Sequence, residues 1–139
     1  MPTELVIHAD YQGGMKLTAG DGEHAVTIDY PLEPGQPVEG LTPLKLLLAS
    51  LAGCAGNTVP LLLAKRGQPV RGLEITARGL RRDEHPTVFT RIDVEFVLHG
   101  DLDAEVVEHC IALADEKLCP VWAMLRPATA IVTTYRIED

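Results

Sequence analysis

The 139-residue chain reads as an α+β fold in which antiparallel sheets wrap a long buried central helix. Three observations predict this. Residues 42–67, TPLKLLLASLAGCAGNTVPLLLAKRG, are apolar at nearly every position yet are bounded by helix signals. Residues 73–78 and 88–98 alternate with a period of two. The segments follow the order three strands, helix, two strands, one or two helices, strand, with no internal repeat, and 1–139 form a single domain.

Residues 3–10 alternate loosely, Leu5 and Ile7 against Glu4 and His8, and predict a first strand. Gly13-Gly14 is a turn, and residues 15–19 and 24–30 make a hairpin across Gly20-Asp21-Gly22. Pro31, Pro34, Gly35, Pro37 and Gly40 leave room only for a loop. Thr42 then caps the central helix, Pro43 fits its first position and Gly67 stops it. A helix apolar on nearly every side is buried on nearly every side. Pro60 has no N–H to donate, so it is expected to bend or break the helix one to two turns beyond Cys54.

Beyond Gly67, Leu73, Ile75 and Ala77 face one way and Glu74, Thr76 and Arg78 the other. After a charged turn at residues 81–85, Val88, Thr90, Ile92, Val94, Phe96 and Leu98 share a face opposed by Arg91, Asp93 and Glu95. Asp101 or Asp103 caps a second helix with an apolar stripe of Val106, Val107, Cys110, Ile111, Leu113, Ala114 and Leu118. That helix ends before Pro120, which opens a short third helix over 120–125 with Cys119 at its N-cap. A last strand over 129–137 places Ile131, Thr133, Tyr135 and Ile137 on one face. Six short strands cover an all-apolar helix thinly, which points to a homodimer with central helices packed together.

A hydrophobic content of 46% with 23% charged residues suits a soluble globular protein. A net charge of -8 repels phosphate backbones, so nucleic acid is not an expected partner. Ser50, Asn57 and Pro60 interrupt the apolar run short of a clean membrane span, and no membrane partner is expected. The N-terminus has no signal-peptide pattern, and three cysteines form no disulfide framework; both favour reduced thiols in the cytoplasm. No cofactor is expected, because no Gly-rich phosphate loop follows a strand. No metal is expected either: the cysteines lack zinc spacing, and His8, His24, His85, His99 and His109 are scattered.

Each thiol has a plain reading beside a chemical one. Cys54, among small apolar neighbours, reads either as a packed cysteine or as a nucleophile. The nucleophile needs help from a cation or a helix N-terminus. Lys45 lies about half a turn out of phase and roughly 13 Å away along the axis, and Lys65 lies roughly 16 Å beyond. Help must therefore come from elsewhere in the fold. Cys119 either fills the corner before Pro120 or has its pKa lowered by the positive end of the third helix. Cys110 lies on the apolar stripe and packs.

Two cysteines, one in a buried helix and one before a proline, form a recognisable pair. The stretches TPLKLLLASLAGC (42–54), HPTVFTRIDVEF (85–96) and LCPVWAML (118–125) resemble the OsmC/Ohr family, with a weaker match at Gly13-Gly14-Met15. The resemblance implies the OsmC-like fold, an intertwined homodimer with active sites at the subunit interface. It also implies a cysteine-based peroxide reductase acting on organic hydroperoxides or related peroxides in oxidative-stress defence. Cys54 matches the peroxidatic cysteine and Cys119 the resolving one, with an external dithiol, lipoyl or thioredoxin-like, as reductant. The organic-hydroperoxide branch has a glutamate where Leu44 stands and an arginine where Met15 stands, followed here by Lys16. The activating pair is thus replaced, which leaves Lys16, Arg126 or a second subunit to supply charge, and the chain resembles the less characterised OsmC-like branch. The alternative is a non-catalytic OsmC-like protein binding a small hydrophobic ligand at the dimer interface; a third reading is a partner-binding dimer whose cysteines only pack.

Overall fold

The computed structural model describes residues 3–139. They form two compact units, one running to Leu47 and the other Leu48–Asp139.

The first unit is a three-stranded antiparallel sheet in the order β1 (His8–Gly13), β2 (Lys16–Gly20), β3 (Ala25–Ile28). The first strand starts at His8 instead of residue 3, and residues 3–7 are exposed coil. The pairing partner explains the shift: β2 ends at Gly20, and Gly20 is the residue opposite His8. Gly13 and Gly14, at φ 103° and 58°, make the β1–β2 turn with a conformation that side chains other than glycine rarely adopt. Asp21 closes the second hairpin as expected, accepting from the Glu23 and His24 N–H groups at 2.9 and 2.8 Å. The loop that follows returns at Leu41, whose carbonyl accepts from Asp29 at 3.1 Å.

The central helix α1 spans Pro43–Lys65 and begins in the first unit. Thr42 Oγ1 accepts from the Lys45 N–H at 3.3 Å, which is the expected cap. At the other end Gly67 takes φ 72°, its N–H reaches Ala64, and the Gln68 N–H reaches Leu63 at 2.9 Å. This pair of bonds is the Schellman stop. Helical structure continues through Pro60 unbroken. Pro60 removes one N–H from the hydrogen-bond ladder, the one that would pair with the residue four positions back, and the helical turns on either side carry on past it.

Leu51, Ala55, Val59 and Leu63 form one buried stripe along α1, while Ala49, Gly53, Asn57, Leu61 and Ala64 are exposed. The helix expected to be buried on every side is therefore buried on one in the single chain. At 23 residues, with a mean hydropathy of 1.7 in its most apolar window, it is long and apolar enough to cross a membrane, a test that the core helix of a soluble protein also passes.

The second unit carries a sheet in the order β4 (Gly72–Arg81), β5 (Phe89–His99), β6 (Ala130–Glu138). Ile92, Val94, Phe96 and Leu98 bury the expected face of β5, but Val88 and Thr90 are exposed. A bulge explains the break: Leu80 pairs with Arg91 and Arg81 with Phe89, which leaves Thr90 unpaired and turns Phe89 inward. Gly79 makes room for that ring, because a Cβ there would lie 2.4 Å from it. Antiparallel pairing dominates, but β6 runs parallel to β5. A parallel neighbour requires a crossover, and the intervening helices provide it.

Those helices are α2 (Ala104–Leu113), a π-helical turn Ala114–Leu118, and α3 (Pro120–Leu125). Of the two candidate caps, Asp103 is the one used; Oδ1 accepts from Glu105 at 2.8 Å and Val106 at 3.4 Å. Val107, Cys110, Ile111 and Ala114 are buried as expected, whereas Leu118 is exposed. The π-turn explains the difference, since winding wider than 3.6 residues per turn rotates Leu118 off the stripe.

Candidate functional site

The site lies within the second unit, where α1 meets the start of α3. The Cys119 N–H closes the π-turn on the Ala114 carbonyl at 2.9 Å, and the Cys119 carbonyl opens α3 by accepting from Ala123 at 3.0 Å. Pro120 occupies the first helical position. Cys119 is thus fixed between two helical turns of different pitch. The Trp122 side chain, 1% exposed, packs with its ring centroid 6.4 Å from that of Phe96 on β5. Its Nε1 donates to the Leu51 carbonyl on α1 at 2.9 Å. This anchors α3 about one turn before Cys54.

The structure brings Cys54 and Cys119 together. The Thr58 hydroxyl touches both residues, and the Cys54 thiol is near enough to raise the Cys119 pKa, although 65 positions separate them in the chain (119 − 54). All three cysteines are free. Cys119 is 2% exposed, while Cys54 is half-buried and is the more accessible of the two residues. Thr58, one turn beyond Cys54, joins them: its hydroxyl donates to the Cys54 carbonyl at 2.9 Å and accepts from Cys119 Sγ at 3.7 Å. Sequence reasoning missed Thr58, though its four-residue spacing from Cys54 places both on one helix face.

Of the two readings of Cys119, lowering of its pKa by the α3 N-terminus is not the one that holds. Burial pushes this thiol up to about 11, with the Thr58 hydroxyl opposing and Cys54 adding to the rise. A six-residue helix provides a weak dipole, and loss of water around a charged sulfur outweighs it. Cys110 is fully buried on α2 and its thiol is raised, first by burial, with Arg66 opposing. It packs in the core, as expected.

Two cations expected as possible partners for the thiolate are engaged elsewhere. Lys16 pairs with Glu39 in the first unit. Arg126 pairs with the Asp115 carboxylate and also donates to the Asp115 carbonyl at 2.6 Å, which clamps α3 to the π-turn. The pair of thiols is held by packing and hydrogen bonds; burial is the largest influence on Cys119. Among the described residues, no group of three His, Cys, Asp or Glu could hold a metal ion.

Comparison with known proteins decides the family. The family model described as OsmC-like protein matches residues 35–134, which include both Cys54 and Cys119. The chain belongs to the OsmC-like family. Protein YhfA of Escherichia coli K12 is 33% identical over 97 residues, covering 69% of this chain and 72% of YhfA. Among solved structures, a hypothetical protein from Aquifex aeolicus VF5 superposes with a TM-score of 0.89 at 25% identity, over 99% of this chain and 98% of that one. The OsmC-like protein from Mycoplasma pneumoniae gives 0.87 at 19% identity over the full length of both chains. The organic hydroperoxide resistance protein OhrB of Bacillus subtilis gives 0.68 at 22% identity over 96% and 98%, a likeness of fold. The expected OsmC-like α+β fold is therefore the observed one.

Proposed function

We propose that this OsmC-like chain is a cysteine-based peroxide reductase, with Cys54 as the attacking thiol and Cys119 as the resolving one. The observation that carries the reading is the approach of these two cysteines around the Thr58 hydroxyl, one half-buried and the other buried. The Cys54 thiolate attacks the distal peroxide oxygen. An S–O bond forms, the O–O bond breaks, the alcohol leaves, and Cys54 becomes a sulfenic acid. Burial keeps Cys119 protonated until then, so the two thiols do not compete for the peroxide. Cys119 then condenses with Cys54 to a disulfide and releases water. An external dithiol, lipoyl or thioredoxin-like, reduces the bridge by exchange.

The exposed face of α1 supports a homodimer as the working unit. Ala49, Gly53, Asn57 and Leu61 recur every four residues, and Leu61 is 55% exposed. A second copy packed along this face completes the burial that an apolar helix requires. It also offers a source for the charge that Leu44 and Met15 do not provide.

The reading is tested by following consumption of cumene hydroperoxide or hydrogen peroxide with excess dithiol. Wild type turns over and Cys54→Ser does not. Absence of turnover by wild type, or full turnover by Cys54→Ser, leaves the ligand-binding alternative, for which native mass spectrometry of protein purified from cells is the measurement.

A further inference from the structure

The Thr58 hydroxyl has one hydrogen, and the Cys54 carbonyl 2.9 Å away receives it. What remains on that oxygen are lone pairs, and Cys119 Sγ stands 3.7 Å from them. An S–H···O contact of this length is an ordinary hydrogen bond for sulfur, so the Cys119 hydrogen turns toward Thr58. The lone pairs of the Cys119 sulfur are then left for Cys54, to which this same hydroxyl links it. A threonine that only satisfied itself against its own helix would need the first of these bonds and not the second.

We propose that Thr58 is a positioning residue that aims the Cys119 sulfur at Cys54 for the disulfide-forming step. The proposal rests on the peroxide-reductase reading above and assigns the second of its chemical steps. In that step the Cys119 sulfur attacks the sulfur of the Cys54 sulfenic acid. An S–S bond forms and the S–O bond breaks. The Cys119 proton leaves with the hydroxyl as water, Cys119 is oxidised, and the sulfenic sulfur is reduced to the disulfide level. Thr58 makes no covalent bond in the sequence; it acts through the direction of one thiol. Loss of its hydroxyl should slow bridge formation without touching the attack on peroxide.

The test compares full-length wild type with Thr58→Val, which keeps the shape, and Thr58→Ser, which keeps the hydroxyl. Each reduced protein receives one equivalent of cumene hydroperoxide. Dimedone trapping reads the Cys54 sulfenic acid and mass mapping reads the Cys54–Cys119 bridge. In Thr58→Val the bridge forms about tenfold more slowly, the factor expected for one lost hydrogen bond, while the sulfenic acid appears at the wild-type rate. Thr58→Ser restores bridging to near wild type. Wild-type bridging in Thr58→Val, a Thr58→Ser as slow as Thr58→Val, or equal slowing of both steps overturns the proposal. Should circular dichroism show that valine disturbs α1, Thr58→Ala takes its place with the same expected result. If wild type forms no sulfenic acid, the peroxide-reductase reading falls on its own. The same proteins are then bridged with diamide, where Cys119 attacks a Cys54 adduct, and equal rates in all of them overturn the role of Thr58.

Discussion

Trp122 Nε1 donates to the Leu51 carbonyl at 2.9 Å, and this one bond links the helix that presents Cys119 to the helix that presents Cys54. Both residues are buried, at 1% and 0% exposure, so water does not replace the bond when it is lost.

Trp122→Phe keeps most of the ring packing against Phe96 and removes the donor. It should lower stability by about 1–3 kcal/mol, the cost of a lost hydrogen bond and a small void in a packed core. Urea unfolding checks the stability. The rate of Cys54–Cys119 bridging should fall in parallel, because α3 is no longer registered on α1.

The ambiguity between Asp101 and Asp103 is resolved by the backbone N–H groups of Glu105 and Val106, both of which point at Asp103. Asp103→Ala should cost about 1 kcal/mol and Asp101→Ala close to nothing, as measured by urea unfolding of the two variants side by side.

Local signals were legible in the sequence because local physics decides them. The Thr42 cap, the Gly67 stop, the Asp21 turn and the inward face from Ile92 to Leu98 each depend on residues a few positions apart. What the sequence concealed depends on partners that are distant in the chain. The start of β1 is set by Gly20 across the hairpin, and the break on β5 by a bulge against β4. The π-turn before Cys119 is announced by no residue pattern. At the site, both cysteines were visible as candidates. Thr58 was not, because its value comes from Cys119 arriving from 61 positions away.

The burial of Cys119 has a pH consequence with a definite sign. Its thiol is raised from an ordinary 9.0 to about 11, so the unfolded chain releases this proton first as pH rises. Stability from this group is complete below about pH 9 and is lost as pH rises toward about 11. Urea unfolding of wild type and Cys119→Ala between these limits should show a steeper alkaline decline for wild type. Parallel curves would mean that the thiol ionises freely in the fold.

Gly53 tests the proposed homodimer. A Cβ at this position meets nothing within 4 Å, so Gly53→Gln is free of clashes in one chain and gains up to about 1 kcal/mol of helix propensity. In the proposed dimer, with α1 packed against a second α1, the same side chain is in the way, and overpacking should raise the dissociation constant about tenfold or more. Sedimentation over a concentration series reads the difference.

Oxidation should go to one pair of thiols. One equivalent of organic hydroperoxide is added to the fully reduced protein, and peptide mass spectrometry maps every thiol. The account predicts a single intrachain bridge between Cys54 and Cys119, with Cys110 left reduced. Cys54 found as sulfinic acid with Cys119 untouched, or no oxidation at either residue, would contradict it.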